Sequence, residues 1–211
     1  MFVVLFEVDV KKLFSKILIV AVFLLASNVK ASEKYVELSR GLPNAQADKI
    51  VVLEFFSYGC AHCYSLESSI NPWAEKLPSD IIFEKVPVMF GGDWDVYGQL
   101  FITLKIMNVD ARVHDHVFEA VHQRRPLLTP DNMADFLESE GVDKEMFLST
   151  YNSFAVLGKV VSAKNLTKNS GVTGVPALLV GGKYRFDLSA GGKQGLLDLA
   201  ETLIARERNQ G

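Results

Sequence analysis

The chain has little cysteine: two residues, Cys60 and Cys63, among 211. Two cysteines cannot staple a small disulfide-rich fold, nor fill a four-cysteine zinc site. It also lacks an excess of charge of one sign. Lys and Arg number 22 against 25 Asp and Glu, a formal net charge of -3. That balance leaves no basic footprint, so a nucleic-acid partner is not expected. Proline is sparse at 7 residues, and 49% of the chain is apolar, which excludes a disordered polypeptide. The length suits one domain, or one domain carrying an insertion. Long apolar runs are missing except for one near the N-terminus.

That single run explains a mean hydropathy of +0.17. Residues Ile17 to Ala26 read ILIVAVFLLA. Lys11, Lys12 and Lys16 precede the run, and Val29-Lys30-Ala31 follows it. This is the three-part pattern of a secretory signal, with cleavage after Ala31. The run is short of the roughly 20 apolar residues that span a bilayer. A retained N-terminal anchor is the alternative reading. Glu7 and Asp9 are unusual ahead of the lysines, and a translation start near Val10 or Leu13 would account for them. Residues 1–31 are therefore expected to be a signal peptide, and the rest an exported protein.

Beyond the signal, Ser32 to Lys49 is mixed and polar. Ile50 to Ser57, IVVLEFFS, is short, β-branched and aromatic, the texture of a buried central strand. A helical pattern follows from Cys60 to about Leu77, with Pro72 expected to kink or break it. Ile81 to Val88 reads as a second strand, ending at Pro87 or lying at a sheet edge. A long helical region then runs from about Trp94 to Ser170. Within it, Thr129-Pro130 makes a helix start, Gly141 a stop and Asp143 a new cap. Phe136, Phe147 and Phe154 fall at helical spacing and are expected in the core. Ala177 to Val180 and Tyr184 to Phe186 read as a hairpin about Gly181-Gly182, followed by a helix from about Gln194 to Arg206. The parallel strand–helix–strand unit and the later hairpin can share one sheet.

Both cysteines fall in one motif, Cys60-Ala61-His62-Cys63, directly after a strand and at the start of a helix. That context marks a redox pair. Cys60 at the helix N-terminus meets unpaired N–H groups and the positive end of the dipole. His62 adds an imidazole that can donate a hydrogen bond or a positive charge toward the sulfur. Both effects lower the Cys60 thiol, and only the thiolate is nucleophilic. An ordinary thiol near 8.5 is only about 3% thiolate at pH 7. Stabilising the thiolate favours the dithiol state and makes the disulfide a stronger oxidant. Cys63, one turn further in, should be more buried, with a higher pKa, and resolve the mixed disulfide.

Competing readings of the motif are weak. A structural disulfide across two residues closes almost no loop. Zinc needs further ligands, and His114 and His116 face different sides of a helix. A haem attachment needs His after the second cysteine, where Tyr64 stands. Sulfur alone carries this chemistry, so no cofactor and no metal are expected.

Glu54 is a carboxylate inside an apolar strand. Burial would raise its pKa and let it exchange protons with Cys63. Lys85, in the neighbouring strand, can pair with it. A structural ion pair, or a Glu54 that reaches solvent at the strand end, remains open.

Three segments together resemble the DsbA family of periplasmic thiol–disulfide oxidases: VLEFFSYGCAHCYSLE (Val52 to Glu67), VPVMFGGDW (Val86 to Trp94) and GVPALLVGGKY (Gly174 to Tyr184). The resemblance implies an α/β thioredoxin fold with an inserted helical domain. It divides the chain into residues 32–90, an insertion at 91–170, and 171–211. It implies that Cys60 is the nucleophile and Cys63 the resolving thiol, joined in the oxidised state as a redox-active disulfide. It places Val175-Pro176 in a loop facing the active site with a cis peptide bond, leaving Val175 backbone groups to pair with an extended substrate peptide. It favours a supporting acid–base role for Glu54 and Lys85. The implied partners are unfolded or folding exported proteins with free thiols and a DsbB-type membrane reoxidant, with the chain itself a monomer in the periplasm. Ala61 departs from the Pro that is commonest at that position in the family. Disulfide isomerases or reductases are the nearest alternative. The dimeric isomerases carry a separate domain before the thioredoxin fold, and Ser32 to Lys49 is too short for one. A non-catalytic peptide-binding module would not need the paired cysteines, and the glutathione-linked branch of the fold lacks them.

Overall fold

The computed structural model describes residues 34–42, 49–125 and 127–210. The expected signal segment, 1–31, lies outside the described residues. The elements in chain order are β1 (Val36–Glu37), β2 (Ile50–Phe56), α1 (Ala61–Ala74), β3 (Ile81–Pro87), α2 (Asp93–Ile106), α3 (Asp110–His122), α4 (Pro130–Ser139), α5 (Lys144–Tyr151), α6 (Phe154–Ser170), β4 (Ala177–Val180), β5 (Tyr184–Asp187) and α7 (Gly192–Arg208).

The five strands form one mixed sheet in the order β1-β5-β4-β2-β3. β2 and β3 run parallel, joined through α1, with Glu54 opposite Lys85 in register. β4 and β5 form the expected hairpin, and β4 lies antiparallel against β2. The β2 side chains alternate as a two-sided buried strand requires. Val52 packs with Leu66 and Ile70 of α1 and with Leu196, Ala200 and Leu203 of α7. Phe55 packs on the other face with Val86, Val88 and Leu179.

Helices α2 to α6 all fall between β3 and β4. The starts expected at Thr129 and Asp143 form, and Ser153 adds a cap the sequence reading did not single out. Thr129 caps α4 by accepting the Asn132 N–H, Asp143 caps α5 through Met146 N–H, and Ser153 caps α6 through Val156 N–H. Val156 and Ala163 of α6 pack against Met89 and Ile102, and a core of Leu100, Phe101, Val117, Phe118, Met133 and Phe147 binds α2 to α5 together. Phe56, Tyr58, Cys60 and Cys63 belong to the same cluster, so the helical layer packs directly on the end of β2 that carries the cysteines.

Three details differ from the sequence reading. β1 lies in the stretch read as merely polar, and pairs Val36 with Arg185 and Glu37 with Tyr184. Two residues are too short to show alternation. α1 runs through Pro72 and ends two residues later at Ala74, with Glu75 N–H still donating to the Asn71 carbonyl. Phe154 is not core: it is 93% exposed. It shares a solvent-facing stripe of α6 with Leu157 and Val161, while Val156, Ala163 and Thr167 face inward. No helix among the described residues is long and apolar enough to cross a membrane.

Candidate active site

β2 delivers the chain into a tight loop, where Cys60 N–H donates to the Ser57 carbonyl at 3.0 Å. Cys60 is extended (φ -93, ψ 110) and is the N-cap of α1. Its Sγ accepts the Cys63 backbone N–H at 3.1 Å, the bond a Ser or Asp side chain makes at other helix starts. No acidic residue occupies the first turn of α1 to compete for the exposed N–H groups. The two cysteines are free thiols.

The sulfurs are unequal. A hydrogen bond from the Cys63 thiol lowers the Cys60 thiol most; burial opposes it, and the backbone N–H groups of Cys63 and His62 add to the lowering, to about 7. Cys63 is wholly buried, and burial first, then the hydrogen bond to Cys60, pushes its thiol far up. His62 is exposed, and among the described residues no hydrogen bond joins its ring to Cys60. Its backbone, rather than its imidazole, is what reaches the sulfur.

Val175–Pro176 is a cis peptide bond. The Cys60 thiol donates to the Val175 carbonyl at 3.4 Å, so this loop faces the motif directly. Pro176 is buried and Val175 half-buried.

Glu54 shares the β2 face of Val52 and Phe56 and is fully buried. Lys85 Nζ lies 2.7 Å from Glu54 Oε2 and 2.9 Å from Glu67 Oε1. Burial raises the Glu54 carboxyl, and the Lys85 charge only partly offsets it. Burial also pushes on Glu67, but a contact with His114 and the Lys85 charge outweigh it and hold that carboxyl below its ordinary range. Burial works against the Lys85 ammonium, but Glu54 and Glu67 prevail and raise its pKa. Among the described residues, buried Glu54 Oε1 has no hydrogen-bond partner.

Sequence reasoning missed two members of this cluster. Glu67 lies on the buried stripe of α1 with Cys63 and Ile70, and a carboxylate on such a stripe was a usable signal. His114, weighed only as a zinc ligand, is buried on α3, its Nε2 3.4 Å from Glu67 Oε2 and its Nδ1 2.9 Å from Tyr58 Oη. Arg112, Asp115 and Glu119 are exposed and form a solvated face of α3.

Comparison with known proteins places this geometry. Residues 51–203 match the family described as a DSBA-like thioredoxin domain. The chain is 54% identical to the thiol:disulfide interchange protein DsbA of Pseudomonas aeruginosa, over 87% of this chain and 88% of that one. It is 52% identical to the corresponding protein of Pseudomonas syringae pv. tomato, over 87% and 86%. The crystal structure of Pseudomonas aeruginosa DsbA superposes with a TM-score of 0.82, covering 84% of this chain and 93% of that one at 54% identity.

Proposed function

The chain belongs to the DSBA-like thioredoxin family and is a thiol–disulfide oxidoreductase that introduces disulfide bonds; on that premise we propose the role of each residue. The observation that carries the assignment is the asymmetry of the two sulfurs: Cys60 at a helix N-terminus with a lowered thiol, Cys63 buried with a raised one.

In the oxidised state Cys60 and Cys63 share a disulfide. A substrate thiolate attacks Cys60 Sγ. The Cys60–Cys63 bond breaks, and its electron pair leaves on Cys63, which takes up a proton. Glu54, whose raised carboxyl lies beneath the motif, supplies that proton, and Lys85 holds it in place. A second substrate thiolate then attacks the substrate sulfur of the mixed disulfide and releases Cys60 as a thiolate. The substrate has lost two electrons and two protons to the protein and solvent: Glu54 regains its proton from solvent, and the reduced protein holds Cys63 as a thiol and Cys60 as a thiolate in equilibrium with its thiol. Val175 beside Cys60 offers backbone groups to an extended peptide, and Pro176 shapes the loop. His62 tunes Cys60 through its backbone N–H. Ala61, a good helix former, continues α1 without the fixed φ of a proline.

The substrates are proteins with free thiols, taken here to be exported and still folding in the periplasm. A DsbB-type membrane partner accepts the two electrons, and the protein works as a monomer. Residues 1–31 act as the signal peptide; 32–90 and 171–211 form the thioredoxin fold around an insertion at 91–170. N-terminal sequencing of the exported protein, expected to begin at Ser32, tests the first of these. A glutathione redox titration of the Cys60–Cys63 couple tests the function. The expected result is a strongly oxidising couple. A potential as reducing as that of thioredoxin would overturn it.

A further inference from the structure

Beneath the cysteines lies a chain of polar contacts that crosses from the thioredoxin sheet into the helical layer. Glu54 and Lys85 come from β2 and β3, Glu67 and Asn71 from α1, His114 from α3, and Tyr58 from the loop before Cys60. His114 is set among rings: Phe56, Tyr58, Phe101 and Phe118 all lie within 5.8 Å, centroid to centroid. A histidine in such an apolar setting is held there by what its nitrogens reach.

The two nitrogens do different things. Tyr58 Oη stands 2.9 Å from Nδ1. Tyr58 is wholly buried, and burial first, then nearby carboxylates, raises its pKa well above the ordinary value, so it keeps its proton and donates it. With the Glu67 carboxylate facing Nε2, the tautomer that serves both neighbours carries its proton on Nε2 and accepts from Tyr58 at Nδ1. Nε2 is buried, has no partner in a short hydrogen bond, and faces Glu67 Oε2 at 3.4 Å. Glu67 in turn spans Lys85 with both oxygens, at 2.9 and 3.1 Å, and accepts from Asn71 at 2.9 Å.

We propose that His114, locked by Tyr58 with its proton on Nε2, is a positioning residue that holds Glu67 ionised against Lys85 and so sets the proton affinity of the carboxylate cluster serving Cys63. It touches neither sulfur and acts through Glu67. The inference rests on the reading of Glu54 as the proton donor to Cys63. Other charges bordering the same crevice are Glu75 on α1, Lys105 on α2, and Asp110 and Asp115 on α3. These line its open side and are the same in every variant considered.

The test follows the redox equilibrium with glutathione across the acid and neutral range. Groups whose proton affinity differs between the disulfide and dithiol states appear there as inflections. His114→Leu removes the N–H that favours the Glu67 charge, so the cluster takes up its proton at higher pH, an upward shift of about one pH unit. His114→Gln, with an acceptor for Tyr58 and a donor for Glu67, restores the wild-type profile. Tyr58→Phe deletes one hydroxyl and shifts the inflection in the same direction by less, which keeps the test open if His114→Leu does not fold. Tyr58→Phe and His114→Leu profiles that superimpose on wild type overturn the proposal, as does a His114→Gln profile displaced as far as that of Leu. Glu54→Gln separates the two readings. If it abolishes the inflection while His114→Leu leaves it unmoved, the positioning role alone fails; if it leaves the inflection intact, the Glu54 reading fails.

Discussion

Cys60 Sγ accepts the backbone N–H of Cys63 at 3.1 Å, so this sulfur is itself the cap of the helix that carries its partner. A cap accepts better when it is charged. The hydrogen bond is therefore stronger for the thiolate than for the thiol or for a neutral disulfide sulfur.

Ultraviolet absorbance of the dithiol protein should show a thiolate titrating with a midpoint of about 7. At pH 7 about half of Cys60 is then ionised. The folded value is depressed, so the ionised cap stabilises the dithiol fold. That gain is complete above the pKa of an ordinary unfolded thiol and is lost as pH falls through about 7. Urea unfolding of the dithiol protein and of Cys60→Ala, compared across this window, should converge on the acid side.

Cys60→Ser should abolish the oxidation of a reduced substrate protein, and retained activity would refute the nucleophile assignment. Cys63→Ala, with its sulfur removed, should accumulate mixed disulfides at Cys60, visible as mass adducts that a reductant releases.

Lys85 is the only lysine or arginine within ion-pair distance of Glu54 and Glu67 among the described residues. Lys85→Met strands two buried carboxylates and should cost about 3–5 kcal/mol at neutral pH. The deficit should shrink as pH falls and the carboxyls take up protons. Glu54→Gln leaves Lys85 with Glu67 and should cost far less, which denaturant midpoints on the two variants will compare.

Phe147 and Phe154 look alike in sequence and should behave oppositely. Phe147 is fully buried, and Phe147→Ala should cost about 3–5 kcal/mol. Phe154 is 93% exposed, and Phe154→Ser should stay within about 0.5 kcal/mol of wild type. Thermal unfolding of both variants checks the contrast.

Much of the site was legible because it is local. A buried strand, a two-residue turn and a CxxC pair opening a helix lie within fifteen or so consecutive positions, and the cap at Cys60 follows from that order alone. The helix starts at Thr129, Asp143 and Ser153 are equally local. Periodicity, by contrast, tells which residues share a face and not what that face meets. Phe154 sits at the right spacing on α6, yet its stripe has no covering element among the described residues. Val36–Glu37 carries no pattern at all, and only β5 makes it a strand.

The amino-acid sequence by itself determined the redox pair, the helix that lowers Cys60, and the order of strands and helices, because each depends on neighbours within a few residues. It also raised Glu54 and Lys85 as candidates without deciding whether they meet. The tertiary structure decided that. The parallel register of β2 and β3 sets Glu54 opposite Lys85, α1 lays Glu67 over both, and the helical layer brings in His114 to join Tyr58 with Glu67. These contacts join residues far apart in the chain. Their energies rest on burial and on charges a few ångströms apart, which are properties of packed elements rather than of a string of residues.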